Sequence, residues 1–152
     1  MKKIASFTVN HDYITPGIYL SRVDGDVVTY DLRTRRPNCG DYMDHLTMHS
    51  LEHMFATLVR NSEIGDAVIY FGPMGCQTGF YLLTRDSVSK EKTLDVVKAV
   101  LAQIETEPAM FGQSRVECGN YENLSLDAAK KEAASYLATL NSREWDFTYP
   151  TK

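Results

Sequence analysis

No stretch of this 152-residue sequence approaches the ~18 consecutive apolar residues that a membrane-spanning helix requires. The opening "MKKIASFTVNH" carries two lysines with no apolar run behind them, so it does not read as a secretion signal. Both absences predict a soluble, cytoplasmic protein. Cysteine is scarce: Cys39, Cys76 and Cys118 are odd in number, which argues against a disulfide framework and leaves reduced thiols for metal or chemistry. Basic excess is lacking too. A net charge of −4 argues against the concentrated basic face that a phosphate backbone demands, so no nucleic-acid partner is expected. The one basic cluster is Arg33, Arg35 and Arg36, of which Arg35 and Arg36 taken alone read as a solvated strand end. With no repeat, no low-complexity tract and no break in composition, a chain that is 43% hydrophobic predicts one domain over residues 1–152.

What is present is a rhythm of hairpins and helices. "GIYLSRV" and "DVVTYDLRT" flank Asp24-Gly25, a hairpin signal because glycine supplies the positive φ of a tight turn. In the second strand Val28, Tyr30 and Leu32 alternate with Thr29, Asp31 and Arg33, so period two predicts Arg33 on an accessible face opposite the core. After "RPNCGD" the pattern predicts a helix from about Tyr42 to Arg60 with Asp41 as N-cap. "DAVIYF" and "FYLLT", separated by "GPMGCQTG", predict a second β pair. "SKEKTLDVVKAVLAQIE" then predicts a helix with Leu94, Val97, Leu101 and Ile104 on one face, and Ser125 can cap a last helix from Leu126 to about Leu140. The tail "NSREWDFTYPTK" carries no clear signal. Hairpins and helices without a βαβ alternation predict an α+β fold, an antiparallel sheet with helices on one face.

The first helix concentrates the chemistry. At 100° per residue His45, His49, Glu52 and His53 fall within about an 80° arc, with Met48, Leu51, Met54, Phe55 and Leu58 opposite. A stripe that only faces water is normally built of lysine and glutamate, whereas this one gathers imidazoles around one carboxylate. His49 and His53 lie one turn apart and can reach a common ion. His45 lies roughly 12 Å from His53 along the axis, too far to share that ion, although a His45–His49 pair is also open. A capped or solvated histidine pair is the plain alternative. Two imidazoles need a third ligand, and Glu117, Glu122 and Cys118 are candidates, the thiol being the softest. A His₂Cys set with one open corner makes a Lewis acid. Read blandly, Cys118 is a small buried hydrophobe.

Cys76 lies in "GPMGCQTG", where glycines let the backbone approach a ligand closely. Beside Arg33 or a metal its thiolate would be favoured, making it a base or nucleophile; otherwise it is an inert turn cysteine. Cys39, in a polar break, reads as a bystander.

His-Ser-Leu-Glu-His also has the H-x-x-E-H form of inverted zinc peptidases. Those chains are usually far longer and take a downstream glutamate as third ligand. A non-catalytic metal-stabilised module is a second rival. The ordered set "SFTVNH", "DLR" followed by "PN", "HSLEH", "PMGCQTGFY" and "CGN" resembles the S-ribosylhomocysteine lyase (LuxS) family from Ser6 to the last helix. The resemblance implies that His49, His53 and Cys118 bind a divalent metal, that Glu52 and Cys76 move protons, and that Ser6, His11 and Arg33 line the substrate pocket. It further implies an α+β homodimer with interfacial active sites, Fe2+ as native metal with Zn2+ or Co2+ able to replace it, and S-ribosylhomocysteine as substrate. Thr34-Arg35-Arg36, Tyr70 and His45 depart from the residues usual in the family, around the pocket and not at the reacting groups. Which group meets the substrate's carboxylate, Arg33, His11 or a backbone N–H, stays open at this stage.

Overall fold

Gly25 adopts φ +60° and turns the chain between β1 (Gly17–Asp24) and β2 (Val27–Arg33), with Asp24 paired to Val27 across the turn. A second hairpin joins β3 (Val68–Pro73) to β4 (Gly79–Arg85). The computed structural model describes residues 1–152, and its four strands form one sheet in the order β1-β2-β4-β3, every neighbouring pair antiparallel. Three helices pack on this sheet: α1 (His45–Arg60), α2 (Lys90–Thr106) and α3 (Leu126–Asn141). The architecture is the expected α+β class.

Alternation along the strands decides what meets the helices. Ile18, Leu32 and Phe80 stand in register across three strands, as do Leu20, Tyr30 and Leu82. They join the buried residues of all three helices in one apolar core. Phe55 of α1 stacks on Phe71 at 4.4 Å between ring centroids, and Phe71 stacks on Phe80 at 5.0 Å, which fixes α1 over the β3–β4 hairpin. On α2 the buried stripe is wider than the sequence suggests: Val96 and Val100 join Val97, Leu101 and Ile104, while Leu94 stays half-buried at its margin.

Two expectations are corrected. Helix α1 begins at His45, not near Tyr42, and its N-cap is Asp44, whose carboxylate accepts from the Thr47 amide at 2.7 Å. Asp41 instead pairs with Arg35. The start is displaced because Met43, fully buried, is held to the Cys76 loop by its own N–H on the Gln77 carbonyl and by the Gln77 amide on its carbonyl. Those bonds hold Met43 against the loop and delay the helix by about a turn. Arg33 does not face solvent: it is 2% exposed, beside Asp31 at 1%. The face opposite the helices is covered at this point by the C-terminal segment. Phe147 accepts a backbone bond from Leu20 and packs its ring against Tyr30 in the core, while Tyr149, two residues on, stacks on Tyr19 and donates its hydroxyl to Asp31 at 2.7 Å on the opposite face.

Candidate active site

Helix α1 presents His49 and His53 half-buried on one face, ring centroids 4.7 Å apart and nearly perpendicular. A carbonyl can only accept, so each short contact assigns the proton on a ring nitrogen. His49 Nδ1 lies 2.8 Å from the Asn123 carbonyl and His53 Nδ1 3.0 Å from the Phe111 carbonyl. Each Nδ1–H therefore donates backwards, and each Nε2 carries a free lone pair directed away from it. Carbonyls in this position orient metal-binding histidines.

The third donor comes from the connection between α2 and α3. Cys118 Sγ sits 3.4 Å from His49 Nε2, and donor atoms of His49, His53 and Cys118 all lie within 4.8 Å of one another. Tetrahedral bonds of ordinary length to nitrogen and sulfur separate those two atoms by about 3.5 Å, so the set fits one divalent ion with a fourth position open. The Asn120 amide donates to the same sulfur from 3.4 Å and helps to hold it in place. Glu117 is not part of the set: its carboxylate accepts from the Ser114 amide and hydroxyl, bonds that hold it below the usual carboxylate range. Glu122 does not join either. The loops that bring these donors in are pinned locally. Ser50, fully buried on α1, accepts from the Ser125 amide at the start of α3, which sets Asn123 against His49. His45 stays exposed, contacts the Asn123 side-chain amide and lies outside the donor set. Glu52 is half-buried on the same helix, and no protein group hydrogen-bonds its carboxylate.

A separate cavity of about 380 Å³ is lined by Ser6, His11, Arg33, Cys76 and Tyr81. Ser6 is delivered by a single 3₁₀ turn over Ala5–Phe7. His11 donates its Nδ1–H to the Val9 carbonyl at 2.9 Å, leaving Nε2 as an acceptor. Cys76 is exposed in the β3–β4 turn, 3.0 Å from the Thr78 hydroxyl and 3.9 Å from Arg33 Nη1. Arg33 is committed elsewhere: Nε and Nη2 fork onto Asp31 at 3.1 and 2.6 Å, and Nη1 donates to Thr78 at 2.8 Å. Burial works against its charge, yet Asp31 and Cys76 together hold the guanidinium above its ordinary value. None of the three candidate ligands lines this cavity. Cys39 is exposed and lies outside both groups.

Sequence reasoning did not single out Asn123, Phe111, Thr78 or Tyr149. Backbone carbonyls leave no trace in a sequence, and Thr78 offered only its place two residues after Cys76.

A family model described as S-Ribosylhomocysteinase (LuxS) matches residues 4–146. Among curated relatives, the S-ribosylhomocysteine lyase of Borreliella afzelii is 41% identical, covering 99% of this chain and 100% of that protein. The one from Clostridium beijerinckii is 42% identical over 99% of each, and that of Finegoldia magna 41% over 99% of each.

Proposed function

Since the chain belongs to the S-ribosylhomocysteinase (LuxS) family, we propose how its own residues divide the work of that carbon–sulfur lyase. The reaction cleaves the thioether of S-ribosylhomocysteine, giving homocysteine and 4,5-dihydroxy-2,3-pentanedione, the precursor of a signalling molecule. The metallopeptidase reading receives no support: the third donor is a thiol, and the relatives are lyases.

The observation that carries the assignment is the tripod of two imidazole nitrogens and one thiol within 4.8 Å. His49, His53 and Cys118 hold one divalent ion, which supplies Lewis acidity toward the sugar's oxygens. Softness and geometry of the set accept Fe2+, Zn2+ or Co2+, and we assign Fe2+ as the native ion on the family resemblance.

A thioether bond breaks readily only when a carbonyl stands two carbons away, because loss of the intervening proton then expels the thiolate. The sugar carbonyl must first move from C1 to C3, each shift exchanging a carbon proton. Cys76, anionic, takes each carbon proton to sulfur and returns it to the neighbouring carbon. Glu52, with no internal partner, shuttles the hydroxyl protons and assists the final elimination, taking the proton from the carbon between the carbonyl and the C–S carbon and passing it to the departing sulfur. Ser6 and His11 line the substrate's cavity and orient it. Arg33, buried with its donors engaged, acts on Cys76 more than on the substrate.

Completion of the site calls for a second subunit. The Cys76 cavity contains none of the metal-binding candidates, which supports a homodimer whose partner supplies them at the interface. No helix is long and apolar enough to cross a membrane. We place the enzyme in the cytoplasm as one lyase domain over residues 1–152, serving methyl-cycle recycling and quorum-sensing signal synthesis.

The test follows homocysteine thiol release with metal content measured on the same samples. Cys76→Ala and Glu52→Gln abolish release and keep the metal; Cys118→Ala loses the metal. Full activity in Cys76→Ala overturns the base assignment, and normal metal content in folded Cys118→Ala overturns the ligand set.

A further inference from the structure

From Tyr149 to Thr78 every link has its direction fixed by chemistry, and the last link, to Cys76, follows from the role proposed for that sulfur. Tyr149 must donate to the Asp31 carboxylate at 2.7 Å, because a carboxylate accepts. Arg33 can only donate, so its fork onto Asp31 and its Nη1 bond to Thr78 Oγ1 at 2.8 Å both run outward. Thr78 Oγ1 accepts from Arg33, and toward Cys76 Sγ, 3.0 Å away, it donates its one proton when the sulfur is the thiolate base, because a thiolate only accepts. Asp31 matches the Arg33 charge within the buried pair, whose side chains are 1% and 3% exposed. The cation meets the sulfur directly only through the long Nη1 contact at 3.9 Å, and the shorter approach is the oriented hydroxyl at 3.0 Å.

We propose that Thr78 is a positioning residue for the base: buried at 1% exposure, it delivers a hydrogen bond from the Arg33-polarised hydroxyl to Cys76 and holds the sulfur as a proton acceptor aimed into the cavity. The proposal rests on Cys76 being the base. Other titratable groups about the sulfur are His11 from the N-terminal segment and Tyr81 from β4, both lining the same cavity, with Asp31 and Tyr149 behind Arg33. None of these lies between Thr78 and the sulfur.

The experiment uses full-length metal-loaded protein carrying Cys39→Ser and measures iodoacetamide alkylation at Cys76 by peptide mass, alongside kcat and KM. Thr78→Val lowers both the alkylation rate at neutral pH and kcat by about tenfold, the weight of one charge-assisted hydrogen bond, with KM within about twofold. Thr78→Ser restores both. Alkylation of the valine variant at the parental rate, or failure of serine to restore it, overturns the proposal. If valine prevents folding, Thr78→Cys, which keeps the volume and offers only a weak S–H donor, replaces it, and alkylation of Cys76 at the parental rate is again the refuting result. Alkylation does not require turnover, so full activity in Cys76→Ala would remove the base reading and leave the alkylation series to report on the hydrogen bond.

Discussion

Replacing Gly112 by alanine adds one methyl group where the loop after α2 crosses the His53 ring. Gly112 sits at φ +66°, and a Cβ built there meets His53 Nδ1 at 3.0 Å and Cε1 at 3.3 Å. Two costs follow. The left-handed backbone penalises alanine by roughly 1–2 kcal/mol, and the methyl presses on the ring edge whose Nδ1–H is bonded to the neighbouring Phe111 carbonyl. Tilting that ring turns Nε2 away from Cys118 and His49, and loss of such an orienting contact typically weakens metal affinity by ~10–100-fold. Gly25→Ala separates the two costs, because Gly25 has φ +60° and nothing within 4 Å of its added Cβ. As metal-free proteins in urea unfolding Gly25→Ala should lose the backbone cost alone and Gly112→Ala at least as much, while only Gly112→Ala should lose affinity in a chelator competition with Zn2+. Equal metal affinity in the two variants would refute the claim that the Gly112 loop holds the His53 ring.

Arg35 links β2 to α3 through Glu132 at 3.0 and 2.6 Å, and the Glu132 side chain is only 6% exposed. Arg35→Ala leaves that carboxylate unpaired and should cost ~2–3 kcal/mol, below the full penalty of a broken buried pair because solvent reaches the arginine. The double variant Arg35→Met, Glu132→Leu should stay within about 1 kcal/mol of the parent; equal losses in the two would show that the pair matters for packing, not charge. Tyr149 is pushed above its ordinary value first by burial and then by the Asp31 charge. Its neutral form therefore stabilises the fold below about pH 10, and that share is lost as pH rises above the unfolded value. Tyr149→Phe should cost roughly 1–2 kcal/mol at neutral pH and flatten the alkaline fall in melting temperature. Tyr136 and Tyr81, raised mainly by burial, keep the remaining slope, and an unchanged alkaline profile would dissociate Tyr149 from the buried pair.

The histidine stripe was legible because helical period alone puts His49 and His53 on one face of α1, and the hairpin was legible because Gly25 occupies a positive φ. Local interactions of this kind are written in adjacent residues. The start of α1 was misplaced since Met43 answers to Gln77, 34 positions away, and a pattern that spans one turn cannot register that partner. Arg33 was assigned to water for the same reason. Strand alternation says which side a residue takes but not what covers that side, and the cover is Tyr149, 118 positions from Asp31.

The amino-acid order by itself determined the strands, the cap at Ser125, the acid–imidazole face and the presence of three thiols, since each depends on spacing within a few residues. Tertiary structure alone decided which of those thiols stands beside the imidazoles, which carbonyls set the ring tautomers, and how a buried arginine reaches a sulfur through a threonine. The physical reason is reach: a hydrogen bond acts over about 3 Å, and segments as distant as His49 and Cys118 come within that range only after apolar burial has packed the helices on the sheet.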